Sequence, residues 1–157
     1  MSEWRALSFS QPWLDLVMRA ARGEPQPKLV ENRRWRTHLR GPFILHAALS
    51  YDSEAEGIVR AADLGLVRAR SEMPRGGFVG VARLLDVLER QLPGTLDLMV
   101  PGQHDLRWWA REQFGFLLAE DVRELPFVPY PGSLNFWKVP APVVAQLGLP
   151  PTPEAWL

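Results

Sequence analysis

Lys28-Leu29-Val30-Glu31-Asn32-Arg33-Arg34-Trp35-Arg36 decides how this sequence is read: it is a short apolar strand signal carrying more charge and hydrogen-bonding capacity than a strand needs. In an extended backbone alternate side chains share a face, so Glu31, Arg33 and Trp35 are expected on one side and Asn32, Arg34 and Arg36 on the other. A carboxylate two residues before a guanidinium can fix its orientation, and a nearby indole offers a stacking surface. Planar ligands with hydrogen-bonding edges suit such a site. The same residues also read as a structural ion pair with Trp35 plugging a core, since exposed pairs are common and contribute little. Density favours function: between Lys28 and Arg40, the cations Lys28, Arg33, Arg34, Arg36 and Arg40 face the single acid Glu31.

Upstream, Arg5-Ala6-Leu7-Ser8-Phe9 alternates as a strand does. Ser10-Gln11-Pro12 then starts a helix whose Trp13, Leu14, Val17, Met18 and Ala21 fall at helical spacing, with Gly23 as its stop. Glu24-Pro25-Gln26-Pro27 is a stiff loop that delivers the chain into the basic stretch. Downstream, Pro42 to Ala48 reads as a buried strand containing His46. Ser53 and Glu56 read as a capping box for a helix closed by Gly65. Gly76-Gly77 leads into a strand from Phe78 towards Val87, whose glycines predict a bend or close backbone approach. Pro93 to Gly102 is expected to be loop, and Asp105 is expected to cap a turn bearing Trp108 and Trp109. Gly115 to Val122 is a strand, Pro126, Pro129 and Pro131 mark a loop, Leu134 to Val139 is a last strand, and Pro140 to Gly148 is a short closing helix. Helices inserted irregularly among about five to seven short mixed strands predict an α+β domain, a small β-barrel with helices packed around it.

A length of 157 residues predicts one domain over 1–157. The chain is 46% hydrophobic and 23% charged, a globular balance, and no apolar run approaches the ~20 residues of a membrane span. Met1 to Arg5 lacks a secretory pattern, and a cytoplasmic location with no membrane partner is expected. Zero cysteines exclude disulfides, cysteine nucleophiles and thiolate metal sites. Net charge is zero, but residues 1–40 hold eight basic and four acidic side chains, so +4 there is balanced by −4 in the remainder. That asymmetry favours one basic pocket over coating of a long duplex.

Four segments taken together resemble the ASCH domain (activating signal cointegrator homology), a branch of the PUA-like barrels. Ala6-Leu7-Ser8-Phe9-Ser10-Gln11-Pro12-Trp13 is similar to its opening strand and helix start. Lys28-x-x-Glu31-x-Arg33 resembles the core of its G-x-K-x-x-E-x-R signature, Arg40 to Ala47 its following RG-to-IHA strand, and Gly132 with Phe136-Trp137 its closing segment. Gln26 stands in place of the signature glycine, and Asn135 stands near a position where the family often has glycine. The resemblance implies a cleft between the first helix, the Lys28 to Arg33 segment and the Pro131 to Trp137 segment, with nucleic acid, especially RNA or single-stranded nucleotides, as ligand. Trp13, Lys28, Glu31, Arg33, Arg34, Trp35, Ser133 and Asn135 are the expected ligand-binding residues. The residue chemistry agrees: cations hold phosphate, while aromatic and guanidinium planes hold unstacked bases. Trp13 and Trp137 also read as core side chains.

Two other functions compete. Some ASCH-like proteins cleave RNA or hydrolyse an amide on acetylated cytidine, which makes Lys28 and Glu31 candidates for acid–base chemistry. The amidohydrolase-like branch, however, resembles K-x-x-T, and this chain has Glu31 at the hydroxyl position. Ser8, Ser10 and Thr37 remain as hydroxyls that the sequence does not place. His46 reads as a base or as a strand-end side chain bonded to backbone, and His38 and His104 as loop residues. Their spacing suits no metal, and no cofactor is expected. Proline-rich loops and seven tryptophans suggest the third reading, a protein-interaction module with an exposed apolar patch.

Overall fold

The computed structural model describes residues 3–61, 68–91 and 107–156. It is an α+β fold in which a mixed sheet of seven strands carries three α-helices among the described residues. The order is β1 (Arg5–Gln11), α1 (Trp13–Met18), β2 (Val30–Arg33), β3 (Gly41–Tyr51), α2 (Ser53–Ala61), β4 (Gly77–Leu88), β5 (Phe114–Leu118), β6 (Arg123–Pro129), β7 (Trp137–Lys138) and α3 (Ala141–Gln146). Strands run β2-β5-β4-β3-β1-β7, with β6 added to β4. This path is open, because no ladder joins β7 to β2 among the described residues. No helix there is long and apolar enough to cross a membrane.

Alternation along the central strands builds two cores. Leu7 and Phe9 of β1, Phe43, Leu45 and Ala47 of β3, and Val79 and Leu84 of β4 pack with Leu14, Val17 and Met18 of α1 on one face. Ala6, Ile44, Phe78 and Val81 pack with Trp4, Val128, Val144, Leu147 and Leu149 on the other. A period of two places neighbours on opposite faces, so these strands are greasy at almost every position. β1 and β3 run parallel with Ser8 opposite His46, while β3 and β4 run antiparallel. Parallel neighbours need a long crossover, supplied here by α1, the proline loop and β2.

Several boundaries differ from expectation. The cap of α2 is Asp52, whose carboxylate accepts from the Ala55 amide at 2.9 Å. Ser53 is instead the first helical residue, and Glu56 is drawn to Tyr51 and Arg70. A carboxylate one residue earlier thus does the work assigned to the Ser53–Glu56 box. Arg123–Pro129, expected as loop, is β6. Pro126 fits there because β6 pairs with β4 alone, and the register slips between Phe78 and Gly80 beside it. The last strand is only Trp137–Lys138, since Asn135 at φ 57° turns the chain before it. The β4 glycines do permit close approach: a Cβ on Gly80 would lie 2.6 Å from the Arg123 carbonyl oxygen. Gly65, Pro93 to Gly102, His104 and the Asp105 cap lie outside the described residues.

Candidate functional site

β7 pairs only with Arg5 and Ala6, so β1 has no strand beside it from Leu7 onward on that edge among the described residues. Arg33 occupies the edge, its Nη2 donating to the Ser8 carbonyl at 2.6 Å while its guanidinium lies 5.4 Å from the Phe9 ring centre. A side chain from β2, one end of the sheet, therefore caps the unpaired edge of β1.

Arg33 belongs to a compact charged network. Its Nε and Nη2 donate to Glu31 Oε2 at 3.0 and 2.7 Å. Lys28 Nζ donates to Glu31 Oε1 at 3.0 Å and to the Val30 carbonyl at 2.6 Å. Lys28 is 1% exposed and Glu31 8%. Burial pushes the Glu31 carboxyl up, but the neighbouring charges of Lys28 and Arg33, with their hydrogen bonds, outweigh this and hold it below its ordinary value of 4.5. The group stays ionised with both oxygens engaged, an arrangement that positions Arg33 and leaves Lys28 no access to solvent.

A pH dependence follows. A carboxyl whose pKa is depressed by folding contributes stability above its unfolded value and loses it as pH falls through the folded one. The urea midpoint should therefore fall on acidification below about pH 4.5, with a shallower decline in Glu31→Gln. Equal slopes in the two proteins would show that Glu31 does not govern acid sensitivity.

The remaining expected residues divide. Trp13 is half-buried beside the network, with Lys28 Nζ 5.2 Å from its ring centre, Trp108 edge-on at 5.8 Å, and its indole nitrogen donating to Asp52 at 3.3 Å. Trp35 lies beyond the end of β2 and packs edge-on against Phe116 and Phe136 at 5.2 and 5.9 Å, as a core side chain does. Asn32 is committed to the backbone of Trp108 and Ala110. Arg34 is exposed without a protein partner among the described residues. The other early cations do not converge: Arg36 pairs with Glu89, Arg40 with Asp86, and Arg22 with Asp15 and Glu24. Acids later in the sequence thus absorb much of the early basic excess.

The Pro131–Phe136 segment rounds the β1 edge. Phe136 packs with Trp35 and Phe43 on one face, while Gly132 lies against Ser8 and His46 on the other. On that second face an open cavity of about 660 Å³ is lined by Ser8, His46, Leu49, Tyr130, Ser133 and Leu134 among others. Asn135 follows the lining residues as the turn at positive φ. Ser8 Oγ lies 2.8 Å from His46 Nδ1, and His46 Nε2 lies 2.7 Å from the Tyr130 carbonyl oxygen. His46 is thus bonded to backbone through one nitrogen, as one of its two readings expects, and to a hydroxyl through the other. Thr37 Oγ1 instead accepts from the Leu39 amide, and His38 is exposed. Sequence reasoning named Ser8 and His46 separately; only the parallel register pairs them. No group of three or more His, Asp or Glu gathers as a metal site among the described residues.

No family model matches the chain, and no curated protein matches it.

Proposed function

We propose that this chain is an ASCH-type module of the PUA-like barrel class that binds single-stranded RNA or nucleotides at the β1 edge. The carrying observation is a half-used guanidinium at the open edge of β1, held on the carbonyl of Ser8, a residue that also lines a nucleotide-sized cavity. Arg33 Nε and Nη2 are spent on Glu31 and Ser8, whereas Nη1 has no protein partner among the described residues. A fixed guanidinium with a free edge suits a phosphate, and exposed Arg34 is its sequence neighbour. Tyr130, Ser8 and Ser133 in the cavity offer a ring and hydroxyls to a splayed base. Lys28 and Glu31 are the supports that hold Arg33, and neither the buried ammonium nor the doubly engaged carboxylate favours acid–base work. The family likeness is supported by backbone: Gln26, in place of the signature glycine, and Asn135, near a position where the family often has glycine, have φ of 58° and 57°. Both angles lie in the left-handed region that favours glycine.

Fluorescence anisotropy with a short single-stranded RNA tests the reading. Arg34→Ala, which disturbs no internal contact, should weaken binding severalfold and reduce the slope of log affinity against log salt by about 0.7, one phosphate contact. Arg33→Ala should weaken it further. RNA affinity unchanged in both variants, each folded by circular dichroism, would reject the site.

A further inference from the structure

The RNA reading takes the Ser8 hydroxyl only as a contact and gives His46 no part, yet the geometry of the Ser8–His46 pair has a direction. A carbonyl oxygen only accepts, so the contact with Tyr130 requires the proton on His46 Nε2. Nδ1 then carries the lone pair, and the Ser8 hydroxyl donates into it. A hydroxyl bonded to an imidazole whose other nitrogen is held by a third group is the arrangement that activates a serine. Here the third group is a backbone carbonyl, whose dipole favours the imidazolium formed on proton uptake.

We propose that Ser8 is a nucleophile for acyl transfer, with His46 as its base, acting on esters of small, largely apolar carboxylic acids. Ser8 is partly exposed and lines the cavity while His46 is 1% exposed, so the base is shielded from bulk water. The lining supplies Ala48, Leu49, Pro131 and Leu134 and no charged side chain, which selects against ionic acyl groups. Gly132 sits so close that a Cβ there would lie 2.8 Å from Ser8 Oγ and 2.9 Å from His46 Cε1. The amides of Gly132, Ser133 and Leu134, residues that line the same cavity as Ser8, donate to no protein group among the described residues and are left for a ligand oxygen. Arg33 fixes the Ser8 backbone from the opposite side.

In the first half-reaction Ser8 Oγ bonds to the ester carbonyl carbon and its proton moves to His46 Nδ1. The carbon–alkoxide bond breaks, and the leaving oxygen takes that proton away as the alcohol. In the second, water attacks the acyl-serine, gives a proton to Nδ1, and Ser8 recovers it as the acid departs. The balance is ester plus water to acid plus alcohol.

The test incubates the full chain with p-nitrophenyl butyrate and, separately, with a fluorophosphonate, followed by peptide mass spectrometry. The expected results are one phosphonyl adduct on the peptide bearing Ser8 and ester hydrolysis that falls about a hundredfold or more in Ser8→Ala. Burial lowers the His46 pKa, partly offset by its bond to Tyr130, so the rate should rise with pH to a plateau, with its midpoint below the ordinary imidazole value of 6.5. Ser8→Cys, which keeps a hydrogen-bonding nucleophile, should accumulate a butyryl thioester, and Gly132→Ala should slow hydrolysis by crowding the pair. Absence of an adduct at Ser8 in the folded protein, or hydrolysis unchanged in folded Ser8→Ala, would overturn the proposal. The readout is covalent and contains no nucleic acid, so its failure and the failure of RNA binding are separate outcomes.

Discussion

Glu31→Ala should lower the unfolding free energy by about 3–5 kcal/mol, because it strands a buried cation. Lys28 Nζ would keep only the Val30 carbonyl, in a position 1% exposed, and Arg33 would lose the carboxylate that aims it at Ser8. The loss comes chiefly from the uncompensated ammonium, so Lys28→Met in the same chain should recover part of it. Glu31→Gln should be milder, since an amide oxygen still accepts from one neighbour. Urea unfolding of the three variants checks the ordering. A Glu31→Ala protein within about 1 kcal/mol of the parent would mean that Lys28 finds water or another acceptor, and that the network is not the support claimed for Arg33.

Phe78→Ala should cost a similar amount, about 3–5 kcal/mol, by opening a cavity in the second core. Phe78 is fully buried, stacked on Tyr130 at 5.1 Å and edge-on to His46 at 5.5 Å. Those contacts tie its packing to the site, since Tyr130 supplies the carbonyl that sets the His46 tautomer. Phe78→Leu fills most of the volume and should lose less stability than Phe78→Ala. Both variants should loosen the Tyr130 wall of the cavity, read as a changed His46 imidazole resonance in NMR. A resonance unmoved in folded Phe78→Ala would separate core packing from the site.

What could be read from residues alone followed from local chemistry. Alternation in Arg5–Phe9 and helical spacing from Trp13 both appear as elements, although the strand runs on to Gln11 and the helix ends at Met18. The Glu31–Arg33 pair came from a spacing of two on one strand face and exists at 2.7 Å. Its setting was not legible: Lys28 was expected among the ligand-binding residues, and the fold instead buries it beside Trp13. Trp35 was offered as a stacking surface and became a core plug, because Phe116 and Phe136 arrive from distant segments to cover it. Pro126 argued for a loop because local propensity cannot know that β6 pairs with β4 alone.

The sequence by itself determined the acid–base spacing of Glu31 and Arg33, the alternation that buries both sheet faces, and the glycines that let strands approach. Only the tertiary structure decided that Ser8 and His46 meet, that Arg36 and Arg40 are drawn away to Glu89 and Asp86, and that Arg33 keeps one free edge. The physical reason is range: spacing sets which way a side chain leaves its own strand, whereas the register of β1 on β3 and the path of the 131–136 segment set what it meets there.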